Sequence, residues 1–531
     1  MQRRDLLLSA SLLALAPTLS TPARAAKRGG TLTFARYADC IFLDPVNTAQ
    51  NADIWISLNL YDTLLQPELD GKGGTQAGLA ESYAFSDEGR TLTFKMRPGI
   101  RFADGSPITV GDVKWSLDRA RGKETGGEFA FLLAAIGEIE TQGDDTVILR
   151  MARPDPAILQ ALATFNAGIM SEKLLMAAPG ANLAEKSKAF AEKPVGSGPF
   201  VLESWRRNSE MVLKRNPYYW KKGEDGQPLP YLDTIRFLII PDDATRILKL
   251  RAGEVDATEF VPYARVAELK ADPKLNMVLF PAAQVQYFTL NTRPTLSDGS
   301  KNPLSDVRVR QALNYATNKQ ALIQVVTHGV GSPQHSFMPM STPHAYGPEP
   351  AYPYNLAKAK QLMAEAGYPN GGFEVTCMAL AGSADDAAKL ATLQQMWSQL
   401  GVRLKIEQLE NATRQDRFNN YRFQMRTSLW TNDLNDPKQI TSIMAYYPTR
   451  QSNRTGWNDE VTNELFRQSE VEMDPAKRGE MYRTIQQRFM AAAPYIFGME
   501  VPYPVAMTKR VHDFVQIPLG NNIFLNAWVD G

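Results

Sequence analysis

The sequence predicts a mixed α/β protein divided into two or three domains, and three observations carry that prediction. Segments with strand periodicity alternate with segments of helix periodicity along most of the chain, the pattern of sheets covered by helices. The 531 residues exceed what a single hydrophobic core sustains. Ile235 to Ile240 is almost entirely apolar and ends at Pro241, as a buried central strand requires.

The elements follow in order. Leu32 and Phe34 open a first strand. In the block from Leu79 to Ala120, Thr91 to Met96 alternates polar and apolar residues, Pro98-Gly99 stops that strand, and Ala103 to Pro107 forms a turn. Thr109 and Asp112 have the spacing of a capping box, and Val110, Val113, Leu117 and Ala120 fall on one face of the helix that follows. Met211 to Leu213 is a strand stopped by Asn216-Pro217. Asp242 and Asp243 start a helix that Gly253 closes. Ser305 is expected to cap a helix carrying Val309, Leu313 and Ala316, and Asn355 one carrying Leu356, Ala359 and Met363. Leu390, Leu393, Trp397 and Leu400 form a further helical stripe, Val402 to Ile406 a strand, and Asp474-Pro475 the start of a long helix with Tyr482, Ile485 and Phe489. All these stripes read as core. Pro281 to Arg293 is compact and apolar, suited to pass between domains.

Composition and motifs exclude several classes. Arg3-Arg4, the apolar Leu6 to Ala16 and Ala23-Arg24-Ala25 make residues 1–25 an export signal, so the mature chain is expected to start near Ala26. Paired arginines suggest the twin-arginine route, with the Sec route as the alternative. No cysteine follows the cleavage site directly, which points to a soluble periplasmic protein and not a lipoprotein. Removing Arg3, Arg4, Arg24 and Asp5 from 58 basic and 57 acidic residues leaves a net charge near −1, without the basic excess of a nucleic-acid binder. Cys40 and Cys377 lie far apart and are expected to be free thiols. No Gly-x-Ser-x-Gly elbow or His-Glu-x-x-His motif supports a secreted hydrolase, the competing class. His328, His335 and His344 lie in a Pro/Gly-rich stretch with no compact metal-ligand spacing, so no metal site and no cofactor is expected.

The block from Leu79 to Ala120 resembles the signature segment of the family 5 solute-binding proteins, the peptide, dipeptide and nickel receptors of bacterial ABC importers. The resemblance continues through Gly29-Gly30-Thr31-Leu32-Thr33, Leu43-Asp44-Pro45, Asn59 to Leu64, Val195 to Phe200, Asn216 to Trp220, Leu250 to Asp256, Val307 to Leu313 and Tyr354 to Tyr368. It implies an α/β, periplasmic-binding-protein-like two-lobe fold with an extra third domain, of type II and the large cluster C kind. Lobe I would combine 26–53, 190–283 and 494–531, the extra domain 54–189, and lobe II 284–493. The hinge would run near Tyr287 to Leu290 and near Pro494 to Phe497. The implied function is capture of a short peptide or amine-bearing solute by lobe closure, without catalysis, for an inner-membrane ABC permease. A nickel or haem receptor of the same fold is the alternative, and a monomer is expected.

The resemblance also suggests the site. In Trp430-Thr431-Asn432-Asp433 it places Asp433 against the ligand's α-amino group, where a carboxylate in a closing cleft gains most by meeting an ammonium. A turn-capping role is the alternative for Asp433. Trp430, Thr431 and Asn432 are expected beside it. Tyr37, Asp39 and Cys40 follow the first strand, where contacts from lobe I are expected. The arginine that oligopeptide receptors carry six positions before the aspartate is replaced here by Thr427, and the adjacent Arg426 would point to the opposite strand face.

Overall fold

A computed structural model describes residues 26–531 apart from 49, 72, 450 and 451, so the export signal read at residues 1–25 lies outside the described residues. The chain opens with β1 (Thr31–Arg36) and α1 (Asn51–Leu60). A ribbon of β2 (Leu65–Pro67) and β3 (Thr75–Ala77) leads into a separate antiparallel sheet of β4 (Ala80–Ser86), β5 (Thr91–Met96), β6 (Ile136–Gln142) and β7 (Thr146–Met151), in the order β4-β5-β7-β6. α2 (Val110–Arg121) packs on this sheet through Val113, Leu117 and Ala120. Its start is the expected reciprocal box: Thr109 Oγ1 accepts from the Asp112 N–H at 3.2 Å, and Asp112 accepts from the Thr109 N–H at 3.0 Å. This small sheet lies inside the 54–189 segment. It is tied back to the N-terminal segment by a bidentate pair, Arg119 to Asp44 at 3.0 and 2.6 Å, with both side chains buried.

After α3 (Ile158–Ala161), α4 (Glu172–Ala177) and α5 (Leu183–Glu192), the chain returns to the sheet of β1. β8 (Phe200–Arg206), β9 (Glu210–Arg215), β10 (Thr234–Ile239), α6 (Asp243–Ala252), β11 (Ala257–Thr258), α7 (Tyr263–Ala271) and β12 (Leu275–Phe280) build lobe I around it. The apolar run at Ile235 is an interior strand. Ile235 and Phe237 enter one core, and Leu238 and Ile240 lean on a second core formed with Ile247 and Leu250 of α6. Asp242 caps α6, and Gly253 ends it at φ +73°.

The chain then passes at once into a second sheet. β13 (Gln284–Leu290), α8 (Val307–Ala316), α9 (Lys319–Val326), β14 (Ser332–Pro333), α10 (Leu356–Glu365), β15 (Phe373–Leu380), α11 (Ala384–Ser398), β16 (Val402–Leu409), α12 (Asn411–Asn419), β17 (Met425–Thr431), α13 (Pro437–Met444), α14 (Glu460–Ser469), α15 (Pro475–Ala492) and β18 (Tyr495–Glu500) make lobe II. Its sheet order is β14-β18-β13-β17-β15-β16. β19 (Tyr503–Thr508) then rejoins the first sheet, whose order is β12-β19-β11-β1-β10-β9-β8. The main sheets are thus joined by residues 281–283 and 501–502.

Two expectations need correction. β18 pairs with β13 from Thr289↔Tyr495 to Val285↔Glu500, so residues 494–500 belong to lobe II and the second crossing lies at Val501-Pro502, not at Pro494 to Phe497. Likewise Tyr287 to Leu290 lie within β13, past the first crossing. Periodicity cannot show this, because β18 and β19 form one apolar stretch. The cap of α8 is Asp306, whose carboxylate accepts from the Arg308 N–H at 2.9 Å, while Ser305 ends a short 3-10 turn.

The turn before α13 is fastened by a second bidentate pair, Arg478 to Asp436 at 2.8 and 2.7 Å, with both side chains 5% exposed. Asp436→Ala removes the cap of α13 and strands a buried guanidinium. It should cost about 3–5 kcal/mol of folding stability, read as a lower urea midpoint.

Candidate functional site

β17 has one paired edge and one largely bare edge. It pairs with β13 from Gln284↔Thr431 to Leu290↔Met425, but with β15 only at Cys377↔Met425 and Met378↔Arg426. Beyond Arg426 the two parallel strands part around Asp386, near the start of α11. Its carboxylate accepts from the Leu380 N–H at 2.9 Å and from the Thr427 hydroxyl at 2.6 Å. A cavity of about 520 Å³ runs along the bare edge, beside Arg426 to Trp430.

Cationic side chains from distant segments gather on this cavity: Lys389 from α11, Arg414 from α12, Arg426 from β17 and Arg454 from the loop after α13. Arg414 donates to the Thr427 hydroxyl at 2.9 Å and stands 3.6 Å from Asp386. Arg426 and Arg454 both lie over the ring of Phe418, at 4.1 and 4.6 Å. Arg426 also donates to Gln415 at 3.2 Å. Burial, and after it the nearby Arg414 charge, pulls Arg426 down to about 10. Arg426 and Thr427, expected on opposite strand faces, both line this cavity. The cavity lies at the strand's edge, where side chains of both faces reach it.

Asp433 follows the strand. Its Oδ2 accepts from Gln439 Nε2 at 2.8 Å, and Gln439 Oε1 in turn accepts from the N–H groups of Asp433 and Leu434, each at 2.8 Å. Among the described residues no cation pairs with this carboxylate, and burial pushes its pKa above the usual carboxylate range. The capping role belongs to Asp436, which accepts from the Lys438 N–H at 2.8 Å. Trp430 lines the large cavity, and its Nε1 donates to Asn432 Oδ1 at 3.0 Å. The Asn432 N–H donates to Ala283 O at 2.9 Å, which joins the Asp433 turn directly to the first crossing.

A second cavity of about 220 Å³ lies at the junction of the lobes, between Trp55 and Phe260 on one side and Gln284 and Thr431 on the other, with Tyr503 at its edge. Trp55 stacks on Phe260 at 5.0 Å, and the Tyr37 ring meets Phe260 at 4.4 Å. Burial pushes the Tyr503 phenol upward, with Tyr263 and the charge of Asp433 adding to it.

Asp39 and Cys40, expected near the ligand, each have partners within the protein. The Cys40 thiol is 2% exposed, donates to Ala52 O at 3.2 Å and accepts from Arg36 at 3.3 Å. Asp39 is held by the Trp205 indole N–H at 2.9 Å and the Asn208 N–H at 2.7 Å. Both stabilise the loop after β1 and neither lines the cavities described above. The histidines do not converge either: His335 bonds Gly347 O, and His344 stacks on Tyr482. Among the described residues no three His, Cys, Asp or Glu side chains are grouped to hold a metal ion.

The lobes touch across the site. Lys438 reaches Asp155, a buried residue beyond the small sheet, at 2.8 Å, and Leu434 joins the apolar cluster of Trp55 and Tyr503.

The family model for bacterial extracellular solute-binding proteins, family 5 Middle, matches residues 74–452. The chain is similar to the Dipeptide-binding protein of Escherichia coli K12, at 29% identity over 498 residues, 89% of this chain and 90% of that one. It is similar to the Glutathione-binding protein GsiB of Salmonella typhimurium, at 31% identity over 70% of this chain and 68% of that one. The structure of HbpA2 from Haemophilus parasuis superposes with a TM-score of 0.83 at 26% identity, covering 94% and 100% of the two chains. A dipeptide binding protein from Pseudoalteromonas sp. SM9913, in complex with Met-Leu, gives 0.73 at 23% identity over 94% and 100%, and shares the fold.

Because folding favours the protonated form of Asp433, its contribution to stability falls as pH rises through the carboxylate range. Asp433→Asn keeps an acceptor for Gln439 and removes the charge. In the absence of ligand it should melt no lower than the parent at neutral pH, and its advantage should vanish below about pH 4. A clear loss of stability at neutral pH would make the charge a structural partner.

Proposed function

The chain belongs to the bacterial extracellular solute-binding proteins of family 5, and on that premise we propose that it captures a short peptide with a free amino terminus between its lobes. The observation that carries this reading is the bare edge of β17, set between an unpaired carboxylate at one end and a cluster of arginines at the other. An extended peptide can add to this edge and exchange backbone hydrogen bonds with residues 428–431. Its ammonium would replace the missing partner of Asp433, and its terminal carboxylate would meet Arg426. From Thr427 to Thr431 the strand advances about 13 Å, room for about three to four extended residues. Trp430 would pack on the peptide, Asn432 would hold the turn, and the Tyr37, Trp55 and Phe260 rings would close over its amino-terminal end together with Thr431.

No bond of the cargo needs to break. The captured peptide passes unchanged to an inner-membrane ABC permease, from a monomeric receptor exported to the periplasm by its N-terminal signal through the twin-arginine route. The relatives named for dipeptide and glutathione binding support this cargo class.

Titration calorimetry with Ala-Ala-Ala and its N-acetylated form tests the reading. The free peptide should bind near micromolar affinity, about 8 kcal/mol, and the acetylated form should not. Asp433→Ala should lose about 2–5 kcal/mol, a drop of 30-fold or more. Equal binding of the two peptides would remove Asp433 from the amine site. Small-angle scattering should show a smaller radius of gyration when the free peptide is added.

A further inference from the structure

The cavity beside β17 holds more positive charge than one carboxylate needs. Four cationic side chains line it, Lys389, Arg414, Arg426 and Arg454, against two carboxylates, Asp385 and Asp386. Asp386 is already committed to the Leu380 N–H and the Thr427 hydroxyl, with Arg414 3.6 Å away. Asp385 is exposed, one turn before Lys389 on α11, and forms no ion pair with it.

Lys389 is the unusual member. The residue is 7% exposed and lines the cavity, yet among the described residues its ammonium has neither a hydrogen bond nor an ion pair. Its Nζ is not among the buried atoms left without a partner, so water in the cavity solvates it, and displacing that water without supplying a counter-charge is costly. Burial accordingly draws its pKa down, against the more distant Asp386 and Asp385. Nothing in the packing of α11 requires a charge at this position. The faces of Leu390, Leu393 and Trp397 supply its core contacts, and the lysine stem could be replaced by an apolar chain of the same length. Arg426, across the same cavity, has no carboxylate within ion-pair distance among the described residues, and its buried Nε lacks an acceptor.

We propose that this cavity receives a second carboxylate, so that the cargo is an acidic peptide ending in Glu or Asp, with Lys389 and Arg414 on the side-chain carboxylate and Arg426 on the terminal one. This rests on the peptide reading above and sharpens it from a class of backbone to a class of sequence. The selectivity has a physical source. A neutral isostere of the side chain leaves Lys389 buried and unpaired in the closed form, whereas the acidic side chain neutralises it there.

The test compares Ala-Ala-Glu with Ala-Ala-Gln by calorimetry on the mature full-length protein. The parent protein should favour the acidic peptide by tenfold or more. Lys389→Met, which keeps the length of the stem, should weaken Ala-Ala-Glu relative to Ala-Ala-Gln and reduce the preference to threefold or less. Its unliganded melting temperature should not fall, an outcome that a purely structural lysine would not give. Equal affinity of the parent for the two peptides overturns the proposal, even while the need for a free amine still upholds the peptide receptor. Failure of every free-amine peptide to bind overturns both. The Glu against Gln comparison uses the unaltered protein, so its outcome does not depend on how any variant folds.

Discussion

The main sheets of this protein are held together by two short crossings, and everything that the site can do follows from that constraint. Among the described residues, 281–283 and 501–502 are the only chain passages between the seven-stranded and six-stranded sheets. Each contains a proline, and neither is long enough to let the lobes separate. The lobes can therefore swing about a line but cannot drift. Each keeps a core of its own, that of lobe II around Leu313, Leu393 and Trp397, and that of lobe I around Phe34, Phe237 and Phe524. A swing leaves these two cores intact and acts on the contacts between the lobes, among them the Lys438–Asp155 pair and the packing of Leu434 beside Trp55 and Tyr503.

The distribution of charge separates what builds the frame from what waits for a guest. Asp44, Asp436 and Glu259 are buried and face Arg119, Arg478 and Arg36 directly. Such pairs add modest stability as a whole and large penalties when broken, so they fix geometry. Asp433 lies three residues from Asp436 and has no such partner among the described residues, and Lys389 lies in a cavity without one. Folding alone would favour neutral residues at both positions. On the proposed reading, an arriving ligand supplies the counter-charge at both positions.

Local chemistry was legible in the sequence wherever a few neighbouring residues decide the outcome. The Thr109 and Asp112 box, the Asp242 and Asn355 caps, the Gly253 terminus and the alternation of Thr91 to Met96 all stand where their spacing put them. Asp433 and Trp430 were proposed only through a family resemblance, and the structure adds a bare strand edge that no periodicity reveals. The cavity cations were not legible. Lys389, Arg414 and Arg454 lie on three different segments, and only the parting of β15 and β17 around Asp386 brings them together. The internal partners of Asp39 and Cys40 were not legible for a related reason. A loop after a first strand presents polar groups to whatever packs on it, and here that is Trp205, Asn208 and Arg36.

The two cysteines carry a practical consequence. Cys40 and Cys377 are unbridged and buried in different lobes, and burial drives both thiols far from ionisation, Cys40 to about 12. Thiolate, not thiol, is the form that alkylating dyes attack. The chain is in effect silent to maleimide chemistry while folded. A single surface cysteine placed beside Lys438, which meets Asp155 across the lobes, would take a fluorophore cleanly, and its emission would turn the approach of the lobes into an optical signal.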